Sequence, residues 1–186
     1  MKKLISFAML VLLVGCSPAV LQKTTSAGPP KCLGDTDIPA EFASGFVPAE
    51  DDDLLNSALG AANEGKLCWG RVYESTGDSR ITVYRAWNST NPGSKMGSWW
   101  AFREPAGKVS QYRSEYEICY QWSPLDKLVV GTLKPGTKVV VGTGQSARCS
   151  EYLTYPVSGK KQIFIEDASG AVVGCKVYDL IFSWRQ

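Results

Sequence analysis

The stretch Leu67-Cys68-Trp69-Gly70-Arg71-Val72-Tyr73, Glu74-Ser75-Thr76-Gly77-Asp78-Ser79, Arg80-Ile81-Thr82-Val83-Tyr84-Arg85-Ala86-Trp87 decides the class of fold. Its outer segments, 67–73 and 80–87, are rich in β-branched and aromatic side chains, which suit a pleated, half-buried surface. Ser75-Thr76-Gly77-Asp78 between them has turn composition, so the pattern predicts a β-hairpin. Toward the C-terminus, residues 128–133, 137–141, 162–165 and 172–184 read as further strands, broken by Pro135-Gly136 and by a turn region at 156–161. Toward the N-terminus, Glu50-Asp51-Asp52-Asp53 precedes Leu54, Leu55, Ala58, Leu59 and Ala62 at helical spacing. Acids in a first turn favour the helix dipole, so a helix is expected over about 50–64. Residues 88–95 carry Pro92-Gly93 without apolar periodicity and read as a loop before the aromatic run Ser98-Trp99-Trp100-Ala101-Phe102. A second helix is expected from Pro105 to about residue 116, with Val109, Tyr112 and Tyr116 on one face and Arg113 able to pair with Glu117. The expected class is α+β, mostly sheet, with two short helices on it.

The N-terminal stretch carries an expectation about the compartment. Met1-Lys2-Lys3 is a basic start, and the following residues to Val14 are apolar except for Ser6, a run too short to span a bilayer. Leu13-Val14-Gly15-Cys16 resembles the lipobox of bacterial lipoproteins. The resemblance implies a signal peptide at 1–15, lipidation (palmitate) on Cys16, a polar, Pro-ending tether over 16–35 and one globular domain over 36–186. Each buried methylene contributes about 0.8 kcal/mol, so several acyl chains would hold the domain on the membrane essentially permanently. Ser17, in place of an Asp, resembles the signature that favours the outer over the inner membrane of the cell envelope. Without Lys2 and Lys3, the twenty basic residues become eighteen, equal to the eighteen acidic ones. With no basic excess, counterion release gives no drive toward nucleic acid, which is excluded as a partner.

Five cysteines follow Cys16: Cys32, Cys68, Cys119, Cys149 and Cys175. An exported compartment permits disulfides. Because Cys32 falls in the tether segment, two bridges among the other four are expected, in undetermined connectivity. No CxxC spacing and no histidine occur, which argues against a metal site and against hydrolysis by a histidine-based triad.

What remains is an arginine ending a strand (Val83-Tyr84-Arg85), a Gly-Ser-aromatic strand (Gly97-Ser98-Trp99-Trp100), and a late strand opening with glutamine (Lys161-Gln162-Ile163-Phe164-Ile165). Together with Gln111-Tyr112-Arg113 and Gly144-Gln145, this order resembles the ADP-ribosyltransferase-like superfamily, in particular its NAD-glycohydrolase toxin-type members. The resemblance runs from about residue 83 to 166 and implies split antiparallel β-sheets around a cleft for NAD, which would be a substrate and not a resident cofactor.

Cleaving the bond between nicotinamide and ribose passes through a positively charged sugar, and the resemblance distributes three roles. Arg85, with Arg113 as a second contact, would hold diphosphate or ribose through a planar fork of donors. Ser98 and the faces of Trp99 or Trp100 would hold nicotinamide, with Tyr84 beside them. Gln162 would orient the ribose hydroxyls. Transferases of the superfamily carry glutamate there, so glutamine points to hydrolysis of NAD over transfer of ADP-ribose. Glu166, on the same strand face, is a candidate for the missing charge. The glycine-rich loop of the toxin-type members is reduced here to Ser158-Gly159-Lys160-Lys161. The alternative is a non-catalytic interaction or assembly lipoprotein with an inert cleft, bound to a protein partner in the envelope.

Overall fold

In Lys138-Val139-Val140-Val141-Gly142-Thr143-Gly144 every residue after Lys138 is buried, on both faces, and the run forms the middle strand of the larger sheet. The computed structural model describes residues 31–179. The leader, Cys16 and most of the expected tether lie outside these residues, as does the end of the last expected strand.

The strands are β1 (Phe46–Pro48), β2 (Leu67–Ser75), β3 (Thr82–Trp87), β4 (Trp99–Trp100), β5 (Lys127–Leu133), β6 (Lys138–Gly144), β7 (Ala147–Arg148), β8 (Thr154–Tyr155), β9 (Lys161–Phe164) and β10 (Val172–Asp179). The helices are α1 (Asp52–Ala58), α2 (Val109–Glu115) and a single turn, α3 (Ala168–Ala171). A five-stranded sheet runs β1-β2-β6-β9-β4, a three-stranded sheet β10-β5-β3, and β7 pairs with β8. All strand pairings are antiparallel. The chain is therefore α+β, with antiparallel sheets and a few short helices.

The expected hairpin does not form. β2 pairs with β1 and β6, whereas β3 pairs with β5 in the other sheet. The reason lies in burial: Ile81, between them, is packed in the core among Val83, Val129 and Leu133, so the chain crosses from one sheet to the other. Ser75, despite its turn-like surroundings in sequence, ends β2. Its hydroxyl donates to Lys134 O (2.6 Å) and accepts from Thr137 N (3.0 Å), fastening β2 to the turn that leads into β6. β5 and β6 make the same crossing through Pro135-Gly136, so the two crossing segments are tied to each other by bonds that span 59 and 62 residues. Residues 88–98 include a 3-10 turn, Pro92–Met96, rather than plain loop.

Period-two alternation sorts the core. Val139, Val141, Ile163 and Ile165 face the main core between the sheets, while Val140 and Phe164 face α1 through Leu54 and Ala58. Helix α1 is capped by the Asp51 carboxylate, which accepts from Leu54 N (3.1 Å), and its expected length is cut short at Ala58. Beyond it Asn63, Gly65 and Lys66 adopt left-handed backbone and Leu59 bridges to Leu67, which no helix allows. Helix α2 likewise starts only at Val109, because Gly107 sits at φ +80°.

The disulfides correct the expected pairing. Cys32 bonds Cys68 and Cys119 bonds Cys149, leaving Cys175 free and exposed. Cys32 belongs to the folded unit: next to it, Leu33 O accepts from the Thr143 hydroxyl (2.6 Å), and Lys161 pairs with Asp35. Among the described residues, no helix is long and apolar enough to cross a membrane.

Candidate functional site

Where the two sheets meet, Tyr84 of β3 and Ala101 exchange backbone hydrogen bonds (Tyr84 N to Ala101 O, 3.0 Å; Ala101 N to Tyr84 O, 2.8 Å). This bridge sets β3 against the edge of the large sheet and leaves a cleft of about 200 Å³ beside it. Tyr84, Arg85, Trp99, Trp100 and Gln162 line the cleft, together with Tyr112, Tyr116, Glu117 and Trp122.

Arg85 is held by backbone. Its Nε donates to Ser94 O (2.9 Å) and its Nη1 to Trp99 O (2.7 Å). Gly97 leaves room for the fork, since a Cβ there would lie 2.5 Å from Arg85 Nη2. Burial lowers the guanidinium's pKa to about 10, still far above neutrality. Among the described residues no carboxylate forms an ion pair with Arg85. The site thus holds a permanent, desolvated positive charge with remaining donor capacity, a receptor for an anion.

The two tryptophans divide by face, as a strand requires. Trp100 is buried in the main core, with its indole N–H donating to Gly97 O (2.8 Å). Trp99 packs on Phe164 with ring centroids 5.0 Å apart. On the opposite wall Tyr112 and Tyr116 pack ring against ring at 4.5 Å. Burial pushes both phenols up, Tyr116 to about 12, so both stay neutral at physiological pH.

Gln162 is buried near the start of β9, and its Nε2 donates to Glu117 Oε2 (2.9 Å). Glu117 is 2 % exposed, and its Oε1 has no hydrogen-bond partner among the described residues. The expected Arg113–Glu117 pair is absent because helix α2 ends at Glu115 and Glu117 takes φ +49°, turning its side chain toward β9. Arg113 instead donates to the carbonyls of Ile118 (3.3 Å), Cys119 (3.3 Å) and Ser123 (2.6 Å), outside the cleft. Its work is to shape the segment that carries Glu117 and Trp122.

Ser98 does not line the cleft either; its carbonyl accepts from Ile165 N (2.9 Å), which closes the sheet edge. Gln145 is tied to Ser146 N (2.8 Å) and Gly60 O (3.3 Å). Glu166 is exposed beyond the end of β9 and lines a separate surface hollow with Asp167 and Lys138, so it cannot serve Gln162. The short turn at Ser158-Gly159-Lys160 is clamped to α2, with the Ser158 hydroxyl donating to Glu115 O (2.7 Å) and Lys160 pairing with Glu115 (2.9 Å). Among the described residues, no cluster of three or more His, Cys, Asp or Glu side chains could hold a metal ion.

Sequence reasoning missed Glu117 as a cleft residue. The available signal was Cys119 two positions on: a disulfide there takes the segment out of any continuing helix and ties it to β7.

No family model and no curated protein matches the chain. Among solved structures, one described as the structure of Tne2 in complex with Tni2 is similar at 12% identity and a TM-score of 0.43, over 66% of this chain and 98% of that one. The likeness is distant.

Proposed function

We propose that this is an ADP-ribosyltransferase-like domain whose cleft takes the nicotinamide end of NAD and hydrolyses it to nicotinamide and ADP-ribose. The observation that carries this reading is Arg85: a half-buried guanidinium without a carboxylate partner among the described residues, in one cleft with Trp99 and Gln162. A cleft of about 200 Å³ is below the usual range of about 300–1,000 Å³ for a drug-sized ligand. It therefore suits one end of a dinucleotide, with the remainder outside. In this reading Arg85 meets the phosphate nearer the nicotinamide ribose, the Trp99 and Tyr112 side offers aromatic surface to the base, and Gln162 meets the ribose. Arg113 and Ser98 act through shape, not contact.

Calorimetric titration of the oxidised protein with NAD, beside a nicotinamide-release assay, tests the reading. Arg85→Ala is expected to weaken NAD binding about 10- to 100-fold, the value of charge-assisted hydrogen bonds of about 1.5–3 kcal/mol. Arg85→Lys keeps the charge but not the fork, and falls in between. A native, folded protein that ignores millimolar NAD would end the enzyme reading.

The location belongs to the same proposal: export and attachment to the envelope by lipid on Cys16, with the outer membrane favoured. Cys16→Ser is expected to move the protein from the membrane pellet to the soluble fraction and to abolish incorporation of a palmitate analogue. Unchanged pelleting would count against it.

One observation favours a second reading, an envelope interaction module with an inert cleft. Among the described residues, strand β10 has a hydrogen-bonded neighbour on one side only, β5, and presents Val173, Val177 and Tyr178 to solvent, an apolar edge suited to a protein partner. NAD turnover by the purified protein would rule out the inert cleft, whatever partner this edge binds.

A further inference from the structure

Glycosidic cleavage of NAD needs a negative group near the ribose, and the neutral Gln162 cannot provide one. Three observations single out where this chain keeps it. Glu117 and Gln162 line the same cleft and touch, Gln162 Nε2 to Glu117 Oε2 at 2.9 Å. The fold makes special provision for the carboxyl: Glu117 holds a left-handed φ of +49°, a conformation rare outside glycine. It lies directly over Gly144, where a Cβ would come within 1.7 Å of Glu117 Oε2. Its second oxygen is buried without a partner among the described residues, which in a finished core is a cost and in a site is an open position.

Resting on the NAD reading above, we propose that Glu117 is the catalytic carboxylate of the cleft: it stabilises the cationic ribose and takes the proton of the attacking water. The bond between ribose C1′ and the nicotinamide nitrogen breaks, and its electron pair leaves with neutral nicotinamide. Water oxygen forms the new bond to C1′, its proton passes to Glu117 and then to solvent. The balance is NAD⁺ and water giving ADP-ribose, nicotinamide and one proton. Gln162 positions Glu117 through the shared hydrogen bond and keeps its own amide oriented by it.

The groups facing Glu117 make this a base that works best in mild alkali. From β9 comes Gln162, from the turn before β9 Ser158, from its own segment Tyr116, and from β6 only the glycine. The charged residues on the cleft wall are Arg85 and Lys66. Burial pushes the carboxyl up to about 8, and its polar neighbours Ser158 and Gln162 offset this only in part. A catalytic base works in its ionised form, so turnover should rise with pH toward about 8 and level off above it.

The test compares native protein with Glu117→Gln, which keeps shape and hydrogen bonding, in full-length oxidised form. The expected result is an approximately 100-fold or greater fall in kcat for nicotinamide release, with the NAD dissociation constant changed less than about threefold. The native pH–rate profile should rise through the carboxyl's range, while the variant's residual rate stays flat. Equal turnover in native and variant overturns the assignment while leaving the glycohydrolase reading standing. A native protein that binds NAD but releases no nicotinamide overturns the Glu117 step and leaves a binding site. No NAD binding by the folded native protein overturns both.

Discussion

Between about pH 4.5 and pH 8 the native protein should lose stability as the solution becomes more alkaline, and Glu117→Gln should not. In the folded protein, burial raises the Glu117 carboxyl from its ordinary 4.5 to about 8. Across that window the folded state binds a proton that the unfolded state has released. Stability contributed by the protonated form is therefore complete below the unfolded value and is lost as pH rises to the folded one. A shift of this size corresponds to up to about 5 kcal/mol, a large share of the stability of a domain this long. Arg85 titrates above this window, because burial takes it only to about 10. The carboxylates Asp35, Asp51, Glu115 and Asp126 are lowered by hydrogen bonds and contribute in the opposite sense at lower pH. Urea unfolding at pH 5 and pH 9, native against Glu117→Gln, isolates the one group. The variant should be the more stable protein at pH 9 even as it loses turnover, the exchange of stability for function expected of a site residue. Parallel pH dependence in the two proteins would show that the carboxyl is not buried as described.

Loss of the Cys119–Cys149 bridge is the second large effect. The bridge closes a loop with a sequence separation of 30 residues, worth about 3.6 kcal/mol of unfolded-state entropy. Its position matters as much as its size. Glu117 lies two residues before Cys119, Trp122 three after it, and the Arg113 guanidinium gathers the carbonyls of Ile118, Cys119 and Ser123. Cutting the bridge releases one wall of the cleft. Cys119→Ser/Cys149→Ser is expected to unfold at lower urea concentration by that amount and to lose nicotinamide release. Cys32→Ser/Cys68→Ser should be destabilised by a similar amount, its loop having a separation of 36, yet keep the cleft wall in place. Equal losses of activity in the two pairs, at equal stability, would show that the Cys119–Cys149 bridge has no special hold on the cleft.

Strand positions are legible because β-branched runs such as 128–133 and 137–141 must be buried and alternate or fill accordingly; β5 covers the first from Lys127, and β6 starts one residue into the second and runs on to Gly144. Pairing is not legible. Residues 67–87 have hairpin composition, and only the burial of Ile81 between the sheets shows that the chain crosses there instead. The same holds for the cysteines: spacing along the chain carries no information about which two sulfurs the sheets bring within bonding distance, and Cys32 bonds Cys68 although it follows a tether-like stretch. The cleft obeys the same rule. Arg85 and Gln162 stand out by residue type on their strands and do share the cleft, whereas Ser98 and Arg113 stand out equally and do not.

The sequence alone determined what depends on composition and local period: an α+β chain, its strand segments and the acidic start of the first helix. Tertiary structure decided what depends on distant residues meeting: the crossing between sheets, the disulfide partners, and above all Glu117. Its neighbours in sequence assign it to the solvent face of a helix. Its left-handed backbone, the missing side chain at Gly144 and the amide of Gln162 bring it inside, because a buried carboxyl is placed by what surrounds it in space.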